Sequence, residues 1–413
     1  MNAISWLVMG LVTAGSAIRA SAAPTQRGNP VAGQTAAVSP AVKDTTQNLN
    51  SLATELYEHA SVSDKGNLFF SPYSIQTALG MAYAGARGQT ATEMASTLHF
   101  VAGQDAHARL SELQQVLNGE LKGSNTLDTA NGLWVASKLK LLDSFSKIMQ
   151  TDYNGAAHTV DAFNETVRGQ INGWVEQKTR NKIKDLIPPG GVNAMTRLVL
   201  ANAIYFKGSW LNKFEAPRTR EVDFHAAGGK TVKAQMMSQN KKFAFSQDNS
   251  VQVLELPYEG DELAMVVVLP RAQNGMENLQ VTSDAVRRWC ESRGARPEVN
   301  VSLPKFKIAW KSEMSGLLSK MGMPTAFTDA ADLSGIDGQR DLYISKVFHK
   351  AWVEVDEKGT EAAAATGVGI STMAVMQPAV FNADHPFLFL IRDKRSGAIL
   401  FMGRVSDPTQ VGD

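Results

Sequence analysis

The chain has 413 residues, of which 41 are basic, 40 acidic and 44% hydrophobic, so its formal net charge is +1. This length is sufficient for a large hydrophobic core, and the balanced charge argues against binding to nucleic acid or to an anionic membrane surface. No linker interrupts the middle of the chain, and we therefore predict a single large domain in residues 44–413. Cys290 is the only cysteine, which excludes an internal disulfide, and its helical context predicts partial burial.

The N-terminal segment has the composition of an export signal. Residues 4–14 form a short apolar run, and Ala20-Ser-Ala22 places small residues at the spacing of a cleavage site. The run is shorter than the roughly 20 residues that span a bilayer. We predict a signal peptide in residues 1–22 and a flexible tail in residues 23–43, so that the protein is secreted, or periplasmic in a bacterium. A membrane anchor is the alternative, because no Lys or Arg precedes the apolar run.

The first half of the domain mixes helical and strand patterns. Apolar residues recur at helical spacing over residues 49–57, and residues 74–84 are apolar on nearly every side, as in a fully buried helix. Thr90-Ala-Thr-Glu93 has the sequence of a capping box that opens a further helix. The apolar runs at residues 133–136 and 198–206 have strand length, and we predict strands that are buried on both faces.

The second half is richer in strand patterns. Strands are predicted over residues 263–269, 299–303, 344–356, 387–391 and 398–405, and an amphipathic helix over residues 314–321 ends at Gly322. Helices mixed with largely antiparallel sheet predict an α+β domain.

Residues 356–372 change from four charges to a run of small, uncharged side chains. Read with period two, one set of side chains is small or β-branched: Thr360, Ala362, Ala364, Thr366, Val368, Ile370 and Thr372. The intervening set is polar or tiny: Glu361, Ala363, Ala365, Gly367, Gly369 and Ser371. This alternation is typical of a half-buried strand, whereas abundant Ala and Gly suit an exposed loop. The residues fit both states, and an Ala-rich helical turn followed by a linker is a further interpretation.

The run from Glu357 to Thr366 resembles the hinge of the reactive loop of the serpins. Five further segments resemble serpin segments in the same order: Asn67-Leu-Phe-Phe-Ser-Pro-Tyr-Ser-Ile75, Ile171-Asn-Gly-Trp-Val-Glu-Gln-Lys-Thr179, Asp185-Leu-Ile-Pro-Pro189, Leu198-Val-Leu-Ala-Asn-Ala-Ile-Tyr-Phe-Lys-Gly-Ser-Trp210 and Ala383-Asp-His-Pro-Phe-Leu-Phe-Leu-Ile-Arg392. The resemblance covers residues 45–406. It implies three β-sheets with eight or nine helices and an exposed reactive-centre loop at about residues 357–380.

In the family this loop is displayed to a serine protease, cut, and inserted as a new strand of the main sheet. The resemblance thus implies a suicide-substrate inhibitor that forms a covalent acyl-enzyme. It assigns the hinge to residues 357–366 with the exception of Lys358. The hinge residues are Glu357, Gly359, Thr360, Glu361, Ala362, Ala363, Ala364, Ala365 and Thr366. A non-inhibitory serpin that acts as a carrier or chaperone is the alternative, although the four alanines of the hinge argue against it.

The resemblance also implies two groups of residues that control the opening of the main sheet, one beneath the sheet and one at its top. Ser71, Ser74, Asn202 and His349 correspond to a buried polar cluster, the shutter, which breaks and re-forms when strands separate. At the top of the sheet, in the region called the breach, Glu357 corresponds to a partner of Lys305, with Trp210 nearby. A core histidine satisfied by hydrogen bonds and a solvated glutamate are the simpler interpretations of His349 and Glu357.

Counting the family's usual fourteen residues from Gly359 places the reactive bond between Met373 and Ala374, with Met376 as a second candidate. An unbranched apolar side chain fits the pockets of elastase-, chymotrypsin- or subtilisin-like proteases. A trypsin-like protease requires Lys or Arg before the cleaved bond, and residues 367–383 contain neither.

The chain carries no sequence motif of an enzyme. It lacks a nucleophile elbow, a zinc-binding His-Glu-x-x-His, a phosphate loop and a Cys-x-x-Cys, and its seven histidines show no metal-binding spacing. A hydrolase is therefore the least favoured hypothesis for the function. We expect a monomer without cofactor or metal, and no polyanion cofactor, because the region after His99 has few basic residues. The expected partner is a serine protease.

Overall fold

A computed structural model describes residues 38–101, 105–119, 123–136, 140–155, 157–291, 296–360 and 377–412. The predicted signal peptide and most of the predicted tail lie outside these ranges, as do residues 361–376 of the predicted loop. Within the described ranges, no helix combines the length and apolar character needed to cross a membrane.

The described residues form eight α-helices. They are α1 (Pro40–Ser63), α2 (Pro72–Tyr83), α3 (Gly88–Thr97), α4 (Ala106–Asn118), α5 (Asp143–Asp152), α6 (Glu165–Lys178), α7 (Ser283–Glu291) and α8 (Ser315–Met321). Helix α1 begins inside the segment predicted as a flexible tail. Ser39 caps it by accepting a hydrogen bond from the Val42 amide at 3.2 Å, and Pro40 occupies the first turn, where a missing amide hydrogen costs nothing.

The predicted capping box at Thr90 is wrong. Helix α3 begins at Gly88, so Thr90 lies inside it, and its hydroxyl accepts a hydrogen bond from the Asp332 amide at 2.9 Å. Glu93 accepts hydrogen bonds from the amide and hydroxyl of Thr325 at 2.9 and 2.8 Å and from the Gln89 side chain at 2.8 Å, and no side-chain cap bond forms at the helix start. Contacts with a distant segment therefore satisfy both side chains. The prediction for Cys290 is confirmed: the thiol is free and half-buried.

Sixteen strands complete the described fold. They are β1 (Leu68–Phe70), β2 (Thr126–Ala136), β3 (Ala157–Val160), β4 (Leu198–Ser209), β5 (Arg220–Ala226), β6 (Lys230–Lys242), β7 (Ala244–Gln247), β8 (Val251–Pro257), β9 (Leu263–Pro270), β10 (Glu298–Pro304), β11 (Phe306–Glu313), β12 (Ile344–Val355), β13 (Gly359–Thr360), β14 (Ala379–Asn382), β15 (Phe387–Asp393) and β16 (Ile399–Val405). Each strand predicted from the sequence overlaps one of them.

The strands form three sheets, as predicted. The main sheet has the order β11-β12-β4-β2-β3, with β13 paired to β4, and the other two have the orders β1-β16-β15-β9-β8-β7 and β14-β10-β6-β5. The predicted α+β architecture with three sheets is therefore confirmed.

The main sheet is covered on both faces, which explains the continuous apolar run of β4. Leu198 and Leu200 belong to an apolar cluster with α2, whereas Val199 and Ala201 belong to a cluster with α6. Successive side chains of a strand point to opposite faces, so both sets can be buried at once. Helix α2 is buried from Pro72 to Ala82, as the sequence predicted.

Candidate functional site

The centre of the main sheet consists of two parallel strands that are far apart in the chain. β12 pairs with β4 in a register that runs from Ile344 opposite Leu198 to Trp352 opposite Tyr205. β12 then leads directly into the predicted hinge. A strand that enters the sheet from this hinge would have to separate β12 from β4.

The hinge begins as a short strand that is already paired with β4. After a turn, β13 runs antiparallel to β4, with Gly359 opposite Ser209 and Thr360 opposite Gly208. The Asp356 carboxylate accepts a hydrogen bond from the Lys358 amide at 2.8 Å and so stabilises the turn. Gly359 has φ 142°, and a Cβ there would lie 2.2 Å from the Gly208 carbonyl oxygen. Only glycine fits this conformation and this approach.

The first hinge side chains are bonded to the body of the domain. Lys305 Nζ lies 2.9 Å from Glu357 Oε2, and the Thr219 hydroxyl donates to Glu357 Oε1 at 2.8 Å. Burial alone would raise the pKa of Glu357, but the hydrogen bonds from Lys305 and Thr219 and the Lys305 charge hold it below the ordinary value. Glu357 is thus a paired carboxylate in the structure rather than a solvated one.

Thr360 is fully buried at the top of the main sheet. Its hydroxyl lies 3.0 Å from the Tyr258 hydroxyl, and the Tyr258 ring stacks on Trp210 with ring centroids 4.6 Å apart. Trp210 Nε1 donates to the Asp356 carbonyl at 3.0 Å. The structure therefore places Trp210 beside the hinge. The stacked rings of Tyr258 and Trp210, called here the aromatic floor, leave room for only a small side chain at position 360.

The four residues predicted for the polar cluster lie together and are fully buried. Ser71 caps α2 by accepting from the Ser74 amide at 3.1 Å. The Asn202 amide nitrogen donates to Ser74 Oγ at 2.5 Å, and Asn202 Oδ1 bonds to His349 Nδ1. His349 Nε2 accepts from the Ser71 amide at 3.3 Å. The cluster thus connects α2, β4 and β12.

This network holds His349 as the neutral imidazole. Nδ1 donates to Asn202 and Nε2 accepts from the Ser71 amide, so a second proton on Nε2 would face another donor. Burial lowers the pKa of His349 from 6.5 to about 3. The polar cluster between the two central strands therefore stays intact only while the His349 ring is neutral.

Acidification should consequently loosen the fold through His349. The unfolded imidazole takes up a proton below pH 6.5, whereas the folded one stays neutral down to about pH 3. Between these values each unit of acidification should lower the free energy of unfolding by about 1.4 kcal/mol through this group. As the pH is lowered below 6.5, the urea-unfolding midpoint should fall more steeply in the wild type than in His349→Gln. Above pH 7 the midpoints of the two proteins should change with pH in parallel. Equal slopes below pH 6.5 would contradict this role.

Three contributing residues were not predicted from the sequence. Asn131 of β2 joins the polar cluster, since its Oδ1 accepts from Ser74 Oγ at 2.9 Å and from Asn202 at 2.5 Å. Tyr258 and Thr219 contact the hinge. A polar residue within a strand pattern could have indicated Asn131, whereas the local sequence around Tyr258 and Thr219 carries no such signal.

The remaining predicted site residues lie outside the described residues. They are Glu361, Ala362, Ala363, Ala364, Ala365, Thr366, Met373 and Ala374. In the described part of the chain, no group of three or more His, Cys, Asp or Glu side chains has the geometry of a metal site.

This fold agrees with the comparisons to known proteins. A family profile described as "Serpin (serine protease inhibitor)" matches residues 47–408, so the chain belongs to the serpin family. The leukocyte elastase inhibitors of Xenopus tropicalis and of human are each 42% identical to it, over 354 and 358 residues, which are 83% of this chain and 93% of each relative. A solved structure of a highly specific serpin from the insect Tenebrio molitor superposes with a TM-score of 0.78 at 34% identity, over 88% of this chain and 98% of the other.

Proposed function

We propose that this serpin inhibits serine proteases as a suicide substrate. The observation that carries the proposal is β13, which is already paired antiparallel to β4 at the point where the alanine-rich hinge begins. An antiparallel strand can extend from that start between β4 and β12, because those two strands are parallel to each other.

The register of β13 also defines where each hinge residue would lie after insertion. Continued along β4, it places Ala362 opposite Phe206 and Thr366 opposite Asn202. Thr366 would then enter the polar cluster, where a hydroxyl can form hydrogen bonds. Directly opposed residues of an antiparallel pair point to the same face, so the small or β-branched set of the hinge would share the face of Leu198 and Leu200 and face the core on the α2 side of the sheet.

The chemistry starts with the protease's own serine. Its oxygen attacks the carbonyl carbon of Met373 and forms an ester, while the peptide bond breaks and Ala374 leaves as a free amine. The released loop then inserts before water hydrolyses the ester. An inserted strand of about 14 residues spans about 45 Å and moves the attached protease to the opposite end of the sheet.

Insertion supplies the energy that distorts the protease. On the order of a dozen new backbone hydrogen bonds, each worth about 0.5–1.5 kcal/mol net, contribute roughly 6–18 kcal/mol. That is comparable to the stability of a whole domain. The uncleaved protein is therefore a kinetic trap in this proposal.

The proposed targets are elastase-, chymotrypsin- or subtilisin-like proteases. Met373 offers an unbranched apolar side chain to the specificity pocket. The name of the relatives, leukocyte elastase inhibitor, supports the same choice. We further propose that the protein is exported, since the N-terminal residues have the composition of a signal peptide, and that it acts as a monomer.

Incubation with pancreatic elastase tests the proposal. We expect an SDS-stable band at the summed mass of the two proteins less the C-terminal fragment, residues 374–413, and mass spectrometry should find that released peptide beginning at Ala374. A peptide that begins at Gln377 instead would move the reactive bond to Met376. Cleavage without a covalent band would contradict inhibition and favour the carrier or chaperone, and ester hydrolysis by the protein itself would indicate an enzyme.

A further inference from the structure

Lys182 lies over the last cross-strand pair of the two central strands. Its Nζ is 5.2 Å from the ring centroid of Trp352 on β12 and 5.9 Å from that of Tyr205 on β4. Trp352 and Tyr205 are directly opposite in the parallel register, with ring centroids 6.0 Å apart. One cation thus contacts an aromatic ring on each of the strands that insertion must separate.

We propose that Lys182 clasps β4 to β12 and sets the rate at which the cleaved loop enters the main sheet. The inference rests on the proposed insertion mechanism. It makes Lys182 a positioning residue, which determines how many protease molecules are trapped before the ester is hydrolysed.

The segment that carries Lys182 is held firmly against the sheet. This strap, residues 179–187, follows α6 and crosses the face of the main sheet. Ile183, Leu186 and Ile187 of the strap are fully buried in the cluster that includes Ala201 of β4 and Phe348 of β12. The Ile183 amide donates to the Thr179 hydroxyl at 3.2 Å. The lysine therefore projects from an anchored segment.

Further hydrogen bonds hold the middle and the C-terminal end of the strap. The Asn172 side chain of α6 donates to the Ile187 carbonyl at 3.0 Å and accepts from the Ile187 amide at 2.9 Å. On the sheet side, Lys350 of β12 donates to the Lys184 carbonyl at 3.1 Å. On the other side of the strand pair, Arg180 of the strap pairs with Asp128 of β2, the neighbour of β4, at 2.6 Å. Since the strap is bonded on both sides of the central pair, the ammonium of Lys182 cannot follow both strands when they separate.

Insertion would break the clasp geometrically. The register of β13 places Ala363 between Tyr205 and Trp352, so a whole strand would separate the two rings. A new strand adds about 4.8 Å between its neighbours. A cation interacts with a ring only within about 6 Å of its centroid, so Lys182 would lose at least one ring.

Lys182→Met tests the clasp, because methionine keeps an unbranched side chain of similar length without the charge. The probe is a synthetic peptide with the sequence of residues 360–373, whose incorporation into the intact protein is followed by native electrophoresis. We expect incorporation about tenfold faster than in the wild type, and an elastase stoichiometry closer to one inhibitor per protease. The matched control is Lys184→Met, because Lys184 carries the same charge on the strap but pairs with Glu176 at 3.2 Å. It should keep the wild-type rate.

A double-variant cycle isolates the contact itself. In a Trp352→Leu background, Lys182→Met should change the incorporation rate by much less than in the wild type. Wild-type rates in Lys182→Met, or equal acceleration in Lys184→Met, would overturn the clasp while leaving the proposed inhibition intact. A wild type that takes up no peptide and traps no elastase would overturn the proposed function, and the clasp with it.

Discussion

Cleavage of the loop after Met373 is expected to raise the melting temperature of the protein by tens of degrees. The reason is the central ladder, in which β4 pairs directly with β12 and β13 occupies only its top two positions. A fully inserted strand would form backbone hydrogen bonds on both sides. Since 1 kcal/mol shifts the melting temperature of a 150–250-residue domain by roughly 2–4 °C, a gain of several kcal/mol is readily measured.

The measurement is thermal unfolding by circular dichroism before and after limited proteolysis, with the cleavage site verified by mass spectrometry. Heating the uncleaved protein with the synthetic loop peptide provides an independent form of the same strand addition. An unchanged or lower melting temperature after cleavage near Met373 would mean that the loop is only a cleavable surface segment, and inhibition by insertion would be excluded.

Thr360→Arg is expected to abolish trapping and to convert the protein into a substrate of elastase. Thr360 is fully buried, and its hydroxyl lies 3.0 Å from that of Tyr258 on the aromatic floor formed with Trp210. A guanidinium in this position would be buried without a partner, at a cost far above that of a hydroxyl. The hinge would therefore stay out of the sheet, and the ester would be hydrolysed before insertion.

Two control variants and one further loss-of-trapping variant at the hinge accompany Thr360→Arg. Thr360→Ser retains the hydroxyl and should trap elastase like the wild type. Glu361→Arg introduces the same side chain one position further on, in the set on the α6 side of the sheet and opposite Lys207, which is only half-buried, and should also retain trapping. Ala362→Arg returns to the core-facing set and should again yield a substrate. Trapping by Thr360→Arg at the wild-type stoichiometry would contradict the assignment of the hinge.

The limits of local sequence motifs are visible at two helix starts. Residues 23–43 are predicted as a flexible tail, yet α1 begins at Pro40 with Ser39 as its cap. Thr90 and Glu93 have the spacing of a capping box, yet each bonds to a distant segment of the chain. Local motifs are reliable only where no tertiary partner competes for the same side chains.

Spacing along the chain alone predicts seven of the sixteen described strands, the buried helix α2 and the alternating pattern of the hinge, because these depend on side chains a few consecutive residues apart. The resemblance of the motifs to a known family added the grouping of Ser71, Ser74, Asn202 and His349. Packing in three dimensions sets the register of β4 against β12, the entry of Asn131 into the polar cluster and the position of Lys182 over Tyr205 and Trp352. These contacts join residues that are distant in the chain, and the packing of strands and helices sets their distances, which no local propensity encodes.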